Sequence, residues 1–203
     1  MIKHLILDMG NVMLQFAPDL FIQDLGISDP EIHSLLRREV FQSLEWSLLD
    51  WGMMDEATAA DAICLRLPEE LRDTARDLIF RWDDPIRPIP GMADLVRDCK
   101  AAGMGVYLLS NASVRLPEYW PRVPGQELFD GIVVSALVRC VKPMPEIYHH
   151  VLDAYGLRAE ECLFVDDLPM NVAGAAHVGM AGFVFRGNVA ELRKEIIRLG
   201  GAL

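Results

Sequence analysis

Short apolar runs recur along the chain and predict buried β-strands. A continuous apolar run is typical of a strand that is covered on both faces, since a half-exposed strand alternates apolar and polar residues. Four runs fit this description, together with one weaker candidate at 131–134; the four lie at residues 2–7, 105–109, 162–165 and 181–185. These segments are expected to form the centre of the fold.

Helical patterns fall between these runs, with apolar residues spaced by three and four positions. They are found at Met92, Leu95, Val96 and Cys99, at Ile147, Val151 and Tyr155, and at Val189, Leu192, Ile196 and Leu199. Strands that alternate with helices favour a parallel sheet with helices on both faces. The predicted fold class is therefore α/β, with a doubly wound, Rossmann-like core.

Residues 17–83 carry a different pattern, in which apolar residues step by four and no strand is indicated. The steps run through Ile32, Leu36, Val40, Leu44 and Leu48, and again through Leu71, Ala75, Leu78, Ile79 and Trp82. The pattern predicts an all-helical insert of four or five short helices after the first strand. A proline-rich joint at 84–91 ends it, because proline stops a helix and stiffens the connection.

The predicted organisation is a core of residues 1–16 and 88–203, interrupted by a small helical cap at 17–87. A length of 203 residues fits one domain with an insertion. Trp46 and Trp51 lie in the cap and could line a substrate pocket. Packing between the helices is the favoured interpretation, because aromatic residues at helical spacing usually belong to a core.

Charge and cysteine usage narrow the class of partner. The net charge of −11 argues against nucleic acid and against an anionic membrane surface, which both require clustered basic residues. No apolar run approaches the roughly 18 residues of a membrane span, and the N-terminus does not resemble a signal peptide. The four cysteines form no C-x-x-C pair, which indicates reduced thiols and a cytoplasmic location. We expect a small-molecule substrate and a monomer or homodimer.

Polar side chains stand where the predicted strands end. Asp8, Ser110-Asn111 and Asp166-Asp167 each follow an apolar run, and Lys142 follows the weaker strand. An isolated Asp or Ser-Asn after a strand is more often a turn former or a helix cap. Ligands of a doubly wound sheet bind beyond the carboxyl ends of its strands, however, so these groups should meet at one edge. Their conjunction favours a functional site.

Phosphoryl transfer is the reaction that these groups suit. Asp8 can attack phosphorus and form an aspartyl-phosphate. Carboxylates from separate strands can hold Mg²⁺, which prefers oxygen ligands and screens the repulsion between Asp8 and a phosphate. Ser110, Lys142 and backbone N–H groups can hold the equatorial oxygens of the transferred group.

Taken in order, these segments resemble the motifs of the haloacid dehalogenase superfamily. The segments are Leu5-Ile6-Leu7-Asp8-Met9-Gly10-Asn11-Val12, Leu108-Leu109-Ser110-Asn111, Lys142-Pro143, and Phe164-Val165-Asp166-Asp167. The insert resembles the helical cap of that family, with a faint match at Asp50-Trp51-Gly52. The resemblance implies an enzyme that depends on Mg²⁺ and whose cap closes over the substrate.

The resemblance also implies a role for each site residue. Asp8 would be the nucleophile and a metal ligand, the Gly10 carbonyl and Asp166 would complete the protein ligands of the metal, and Asp167 would hold Lys142 or a metal-bound water. Phosphate binding would involve Gly10, Asn11, Ser110, Asn111 and Lys142, and Lys142 would join Asp8 in catalysis.

Gly10 departs from the pattern of the family's phosphatases, which carry a second Asp at this position as general acid and base. Such catalysis typically contributes about 10²–10⁴-fold. The segment Asp8-Met-Gly-Asn-Val resembles that of bacterial sugar-1-phosphate phosphatases, whose anomeric leaving group relies less on an acid. The sequence therefore predicts a phosphatase for a small phosphorylated metabolite, with a sugar phosphate as the hypothesis.

Two alternatives stay open at this stage. A haloacid dehalogenase-type hydrolase would use the same Asp8 on carbon without a metal, although the adjacent pair Asp166-Asp167 favours the metal-dependent branch. A catalytically weak phospho-ligand-binding protein is the second alternative, because Gly10 would then mark a decayed site.

Overall fold

The computed structural model describes residues 1–203 and contains one five-stranded, all-parallel sheet. Its strands are β1 (His4–Leu7), β2 (Gly105–Ser110), β3 (Gly131–Val134), β4 (Cys162–Asp166) and β5 (Ala181–Val184). The order is β3-β2-β1-β4-β5, which confirms the predicted doubly wound core. Because β1 is central and pairs with β2 and β4, the residue that follows it stands in the middle of the carboxyl edge.

Helices cover both faces of this sheet, as continuous apolar strands require. One face packs against α6 (Met92–Ala101) and α11 (Val189–Arg198), and the other against α9 (Pro145–Tyr155) and α10 (Pro169–His177). Two four-residue helices, α7 (Leu116–Tyr119) and α8 (Ser135–Val138), follow β2 and β3 at the carboxyl edge. None of the helices is both long and apolar enough to cross a bilayer.

The segment between β1 and α6 contains five α-helices and no strand of the sheet. They are α1 (Pro18–Asp24), α2 (Pro30–Leu36), α3 (Leu44–Asp50), α4 (Glu56–Arg66) and α5 (Arg72–Arg81). Their apolar faces form a separate core cluster that includes Ile22, Leu36, Ile63 and Leu78, each at most 1% exposed. The predicted cap boundaries of 17–87 enclose all five helices, and the division into two domains stays a prediction.

Leu44 differs from the sequence pattern that grouped it with Val40. It is 69% exposed, because α2 gives way to a π-helical turn (Arg37–Phe41) and α3 starts afresh. The hydroxyl of Ser43 donates to Val40 O at 2.7 Å and accepts from the Trp46 N–H at 3.1 Å. Such side-chain bonds compete with continued helix and are favoured at an N-cap, so the apolar spacing is interrupted here.

Buried polar contacts join the cap to the core. The carboxylate of Asp83 is 5% exposed and accepts from Arg115 at 3.3 Å and from Arg122. Arg115 also donates to Ile79 O at 3.4 Å. These bonds fix the end of α5 above the carboxyl edge of the sheet.

Candidate active site

Three carboxylates meet at the carboxyl edge, as the topology requires. Oxygens of Asp8, Asp166 and Asp167 all lie within 4.8 Å of one another. Asp8 follows the central β1, and the other two come from the end of the adjacent β4. The sequence prediction of a shared acidic site at this edge is therefore realised in the geometry.

The ammonium of Lys142 lies between two of these carboxylates. Its Nζ is 2.7 Å from Asp8 Oδ1 and 2.7 Å from Asp166 Oδ2, and it donates to Leu109 O at 3.0 Å. Three acceptors satisfy the three donors of an ammonium group. Burial lowers the pKa of Lys142, but Asp8 and Asp166 outweigh that effect and raise it overall, so the group stays charged.

Asn111 holds the backbone of Lys142 in place. The Asn111 Oδ1 accepts from the Lys142 N–H at 2.8 Å, and the Asn111 Nδ2 donates to the Lys142 carbonyl at 3.1 Å. Both ends of the amide are thus used, which makes Asn111 a residue that positions Lys142 while also lining the cavity.

The oxygens of Asp166 are fully engaged inside the protein. Oδ1 accepts from the Leu168 N–H at 2.8 Å, and the buried Asn171 donates to both oxygens at 3.1 Å. Asp166 is 0% exposed and is absent from the lining of the cavity. The resemblance implied that Asp167 would hold Lys142 or a metal-bound water; in the structure, the ammonium of Lys142 contacts Asp166 instead.

Asp167 is the carboxylate of this pair that faces the cavity. It accepts a hydrogen bond on Oδ2 from Asn11 Nδ2 at 3.0 Å. Asn11 has a left-handed backbone (φ 56°), and its Oδ1 accepts from the Phe16 N–H at 3.0 Å. The amide of Asn11, expected to bind phosphate, is thus used to fix Asp167 and the turn after β1.

Gly10 and Ser110, which were also expected to bind phosphate, differ in whether they line the cavity. Gly10 lines the cavity beside Asp8, and a Cβ there would meet only Phe16 Cβ, at 3.6 Å. Ser110 is 1% exposed and its Oγ has a hydrogen bond only to Asn111 O, at 3.5 Å. Ser110 does not line the cavity, but Ser113 does.

The cavity above these groups has a volume of about 310 Å³ and is lined by residues of both the cap and the core. Aromatic side chains form one wall: ring centroids of Trp82 lie 5.2 Å from Phe16 and 5.3 Å from Tyr119, and Trp46 lies 5.8 Å from Phe16. Trp46 also packs against Phe41, so this residue both lines the cavity and packs between the helices of the cap. Trp51 instead donates to Arg139 O at 3.1 Å.

Two acidic residues of the cap also line the cavity. Glu56 is 8% exposed and its Oε1 accepts from Ser113 Oγ at 2.7 Å. Asp50, the last residue of α3, has no side-chain partner; burial first, and the charge of Asp8 second, raise its pKa to about 7. Neither residue has an expected role from the sequence.

The carboxylates of the site outnumber its ammonium groups. Burial raises the pKa of Asp8 to about 7 despite the nearby Lys142, and burial also raises the pKa of Asp167. Three carboxylates face one ammonium, so a formal charge of two is left uncompensated. Oxygen donors in this number suit a hard divalent ion, and such an ion would favour the ionised form of Asp8.

Comparison with known proteins agrees with this geometry. The model of the family described as haloacid dehalogenase-like hydrolase matches residues 2–179. The chain belongs to this family. It is therefore a hydrolase, as the ordered motifs around Asp8 predicted.

Two curated relatives of the hydrolase are phosphatases. It is 30% identical over 207 residues to the sesquiterpene phosphatase astK of Aspergillus oryzae, an alignment that covers 96% of each chain. It is 27% identical over 113 residues to the glyceraldehyde 3-phosphate phosphatase of Pyrococcus furiosus, covering 54% of this chain and 47% of that one.

Solved structures share the fold at low sequence identity. A family enzyme of Bacteroides thetaiotaomicron, in complex with magnesium and inorganic phosphate, superposes with a TM-score of 0.70 at 19% identity, covering 94% of this chain and 98% of that one. The L-2-haloacid dehalogenase of Xanthobacter autotrophicus gives 0.66 at 19% identity, covering 100% and 85%.

Proposed function

We propose that this hydrolase is a Mg²⁺-dependent phosphatase that forms an aspartyl-phosphate on Asp8. The cluster of Asp8, Asp166 and Asp167 within 4.8 Å carries the proposal. A dehalogenase attacks carbon with one carboxylate and needs no cation, whereas a phosphatase must bring a carboxylate to a phosphate anion. The surplus of negative charge around Asp8 suits a site that is completed by a metal ion.

Asp8, Asp167 and the carbonyl of Gly10 are the groups that would hold Mg²⁺. Asp167 replaces Asp166 in the ligand set expected from the sequence, because Asp166 does not line the cavity and both its oxygens already accept hydrogen bonds. When bound, Mg²⁺ supplies positive charge that screens the phosphate from Asp8.

The chain itself supplies the nucleophile and its environment. An Asp8 oxygen forms the bond to phosphorus, and water then cleaves the aspartyl-phosphate and regenerates the carboxylate. Lys142 orients Asp8 and places a fixed positive charge beside the transferred group. Asn111 and Asp166 keep Lys142 in position, and the cap supplies part of the cavity wall.

The cavity wall supports a phosphate ester with an apolar organic group. Phe16, Trp46 and Trp82 present rings to a space of about 310 Å³. A sugar offers hydroxyls that need partners on all sides, since an unpaired buried hydroxyl costs roughly 1–3 kcal/mol. The resemblance to a sesquiterpene phosphatase over 96% of both chains supports the same substrate class. We therefore favour an isoprenoid or aryl phosphate over the sugar phosphate inferred from the sequence.

Phosphate release tests the function directly. The purified chain would be assayed on farnesyl phosphate, p-nitrophenyl phosphate and glucose 1-phosphate, with Mg²⁺ and with EDTA. We expect Mg²⁺-dependent release, with the highest kcat/KM on farnesyl phosphate.

The matched variants are Asp8→Asn and Asp19→Asn, of which Asp19 lies on the cap surface with its side chain 57% exposed. Only Asp8→Asn should abolish turnover. Release that persists in EDTA or in Asp8→Asn would refute the metal-dependent aspartyl-phosphate route. A preference for glucose 1-phosphate would refute the apolar substrate class but not the phosphatase function.

A further inference from the structure

Hydrolysis of an unactivated phosphate ester requires a proton for the leaving oxygen. The loop after β1 offers none, because Gly10 stands where phosphatases of this family carry an acid. General acid–base catalysis is worth about 10²–10⁴-fold, so an alternative donor within the cavity would matter. The following inference rests on the phosphatase function proposed above.

The carboxyl of Asp50 is placed to fill this gap. It lines the same cavity as Asp8 and Gly10, and the charge of Asp8 acts on it. No side chain or backbone group donates a hydrogen bond to it, and the residue is half-buried in the lining of the cavity. A buried carboxyl with no partner favours its neutral form, which is the form that can give up a proton.

The backbone around Asp50 is fixed against the core. Ser135 Oγ, in α8, donates to Asp50 O, and the indole of Trp51 donates to Arg139 O at 3.1 Å. Gly52 has φ +69°, and a Cβ at this position would collide with Ala136 O. Catalytic groups must be held within about 0.5 Å of the productive geometry, and these contacts supply such support from outside the cap.

Glu56 is the other cap carboxylate in the cavity, and it is used differently. Its Oε1 accepts from Ser113 Oγ at 2.7 Å, which ties α4 to the loop after β2. Glu56 is therefore engaged in a contact between the cap and the core, whereas the carboxyl of Asp50 has no such partner. This contrast makes Glu56 the matched comparison for Asp50.

We propose that Asp50 is the general acid and base of the reaction, supplied by the cap in place of the acid missing at Gly10. In the first step Asp8 forms its bond to phosphorus, the bond to the leaving oxygen breaks, and the Asp50 proton goes to that oxygen, so the alcohol departs neutral. In the second step water attacks phosphorus, Asp50 takes one of its protons, and the bond to Asp8 breaks. Inorganic phosphate leaves and both carboxyl groups return to their initial state.

Leaving-group dependence tests the proposal. Phenyl phosphate needs a proton donor, whereas 2,4-dinitrophenyl phosphate releases a stable anion. Asp50→Asn should reduce kcat/KM on phenyl phosphate by about 10²–10⁴-fold and on 2,4-dinitrophenyl phosphate by less than about tenfold. Loss of the base should also slow the second step and give a burst of dinitrophenol, followed by slow turnover. Asp50→Glu should recover part of the lost rate on phenyl phosphate.

Two further variants keep the test specific. Glu56→Gln should change both substrates by the same factor, because Glu56 moves no proton. Gly10→Asp adds a carboxyl where a Cβ meets only Phe16 Cβ at 3.6 Å, and it should restore phenyl phosphate turnover to Asp50→Asn. Asp50→Asn should unfold at a temperature no lower than that of the wild type, since a desolvated carboxyl without a partner destabilises the fold when it ionises.

The outcomes separate this proposal from the function on which it rests. A wild type that releases no phosphate from either substrate would overturn both. Equal losses on the two substrates in a folded Asp50→Asn would overturn only the acid–base role and leave Asp50 as a structural residue.

Discussion

Replacing Lys142 by Met tests the electrostatic arrangement on which the site depends. The substitution keeps an unbranched, buried side chain but removes the charge that lies 2.7 Å from both Asp8 and Asp166. Lys142 is 4% exposed, so the two carboxylates would be left buried without a counter-charge. Breaking a buried ion pair from one side costs about 3–5 kcal/mol. For a chain of this length 1 kcal/mol corresponds to roughly 2–4 °C, which gives a decrease of about 6–20 °C in unfolding temperature.

The matched control is Lys3→Met, which breaks an ion pair of similar length at the surface. Lys3 Nζ lies 2.6 Å from Glu161, but the lysine side chain is 58% exposed. Exposed pairs contribute no more than about 1 kcal/mol, so we expect a change of no more than about 4 °C. Thermal unfolding of both variants in EDTA, followed by circular dichroism, provides the comparison. If the unfolding temperature of Lys142→Met fell by no more than that of Lys3→Met, the two buried carboxylates would not depend on Lys142, and the reasoning would be refuted.

The pH dependence of the same variant gives an independent check. Burial already holds the pKa of Asp8 at about 7 while Lys142 lowers it, so removing Lys142 should raise this pKa further. A carboxyl whose pKa is higher in the folded than in the unfolded state destabilises the fold as pH rises above the unfolded value. Asp8 is largely protonated in both folded proteins below its wild-type pKa, so the stability gap between variant and wild type should shrink as pH falls from about 9 to about 7 and change little below that. A gap that grew over this range would contradict the assignment.

Two further predictions concern the cap. Trp82→Leu removes a ring that lies 5.2 Å from Phe16 and 5.3 Å from Tyr119, and it should raise KM for farnesyl phosphate about threefold to tenfold, with little change for methyl phosphate in steady-state kinetics. An equal effect on both substrates would mean that Trp82 does not bind the organic group. Gly52→Ala places a methyl group against Ala136 O at a φ of +69°, so it should displace Asp50 and reduce kcat/KM on phenyl phosphate more than on 2,4-dinitrophenyl phosphate. Unchanged kinetics would show that the position of Asp50 does not depend on the contact between Gly52 and Ala136.

The sheet could be predicted because its signal is local. Each strand is a continuous apolar run, and β1 and β4 are buried almost throughout, at His4–Leu7 and Cys162–Asp166. The meeting of Asp8 with Asp166 followed from topology, since parallel strands present their carboxyl ends at one edge. Neither inference required knowledge of where a side chain points.

Which of Asp166 and Asp167 faces the cavity could not be predicted without knowing where each side chain points. Neighbouring residues at the end of a strand point in opposite directions, so a shift of one position exchanges the buried and the cavity-facing carboxylate. Asp166 points into the protein, toward Lys142 and Asn171, while Asp167 lines the cavity. The sequence contains two adjacent aspartates and no pattern that distinguishes them.

The cap residues of the site were harder still to predict, because packing and substrate binding use the same residue types there. Trp46 and Trp82 have the spacing of core residues and do pack in the cap, yet they also wall the cavity. In the sequence, Asp50 is an ordinary polar residue at the end of a helix. Only the structure shows that the contacts of Trp51 and Gly52 with the core fix the backbone beside it. The absence of an acid at Gly10 was visible in the sequence, but the residue proposed to replace it lies 40 positions away, in the cap, and only the folded structure shows that it shares a cavity with Asp8. When a motif of the core lacks its general acid, the residues of the cap that line the cavity are therefore the first candidates to replace it.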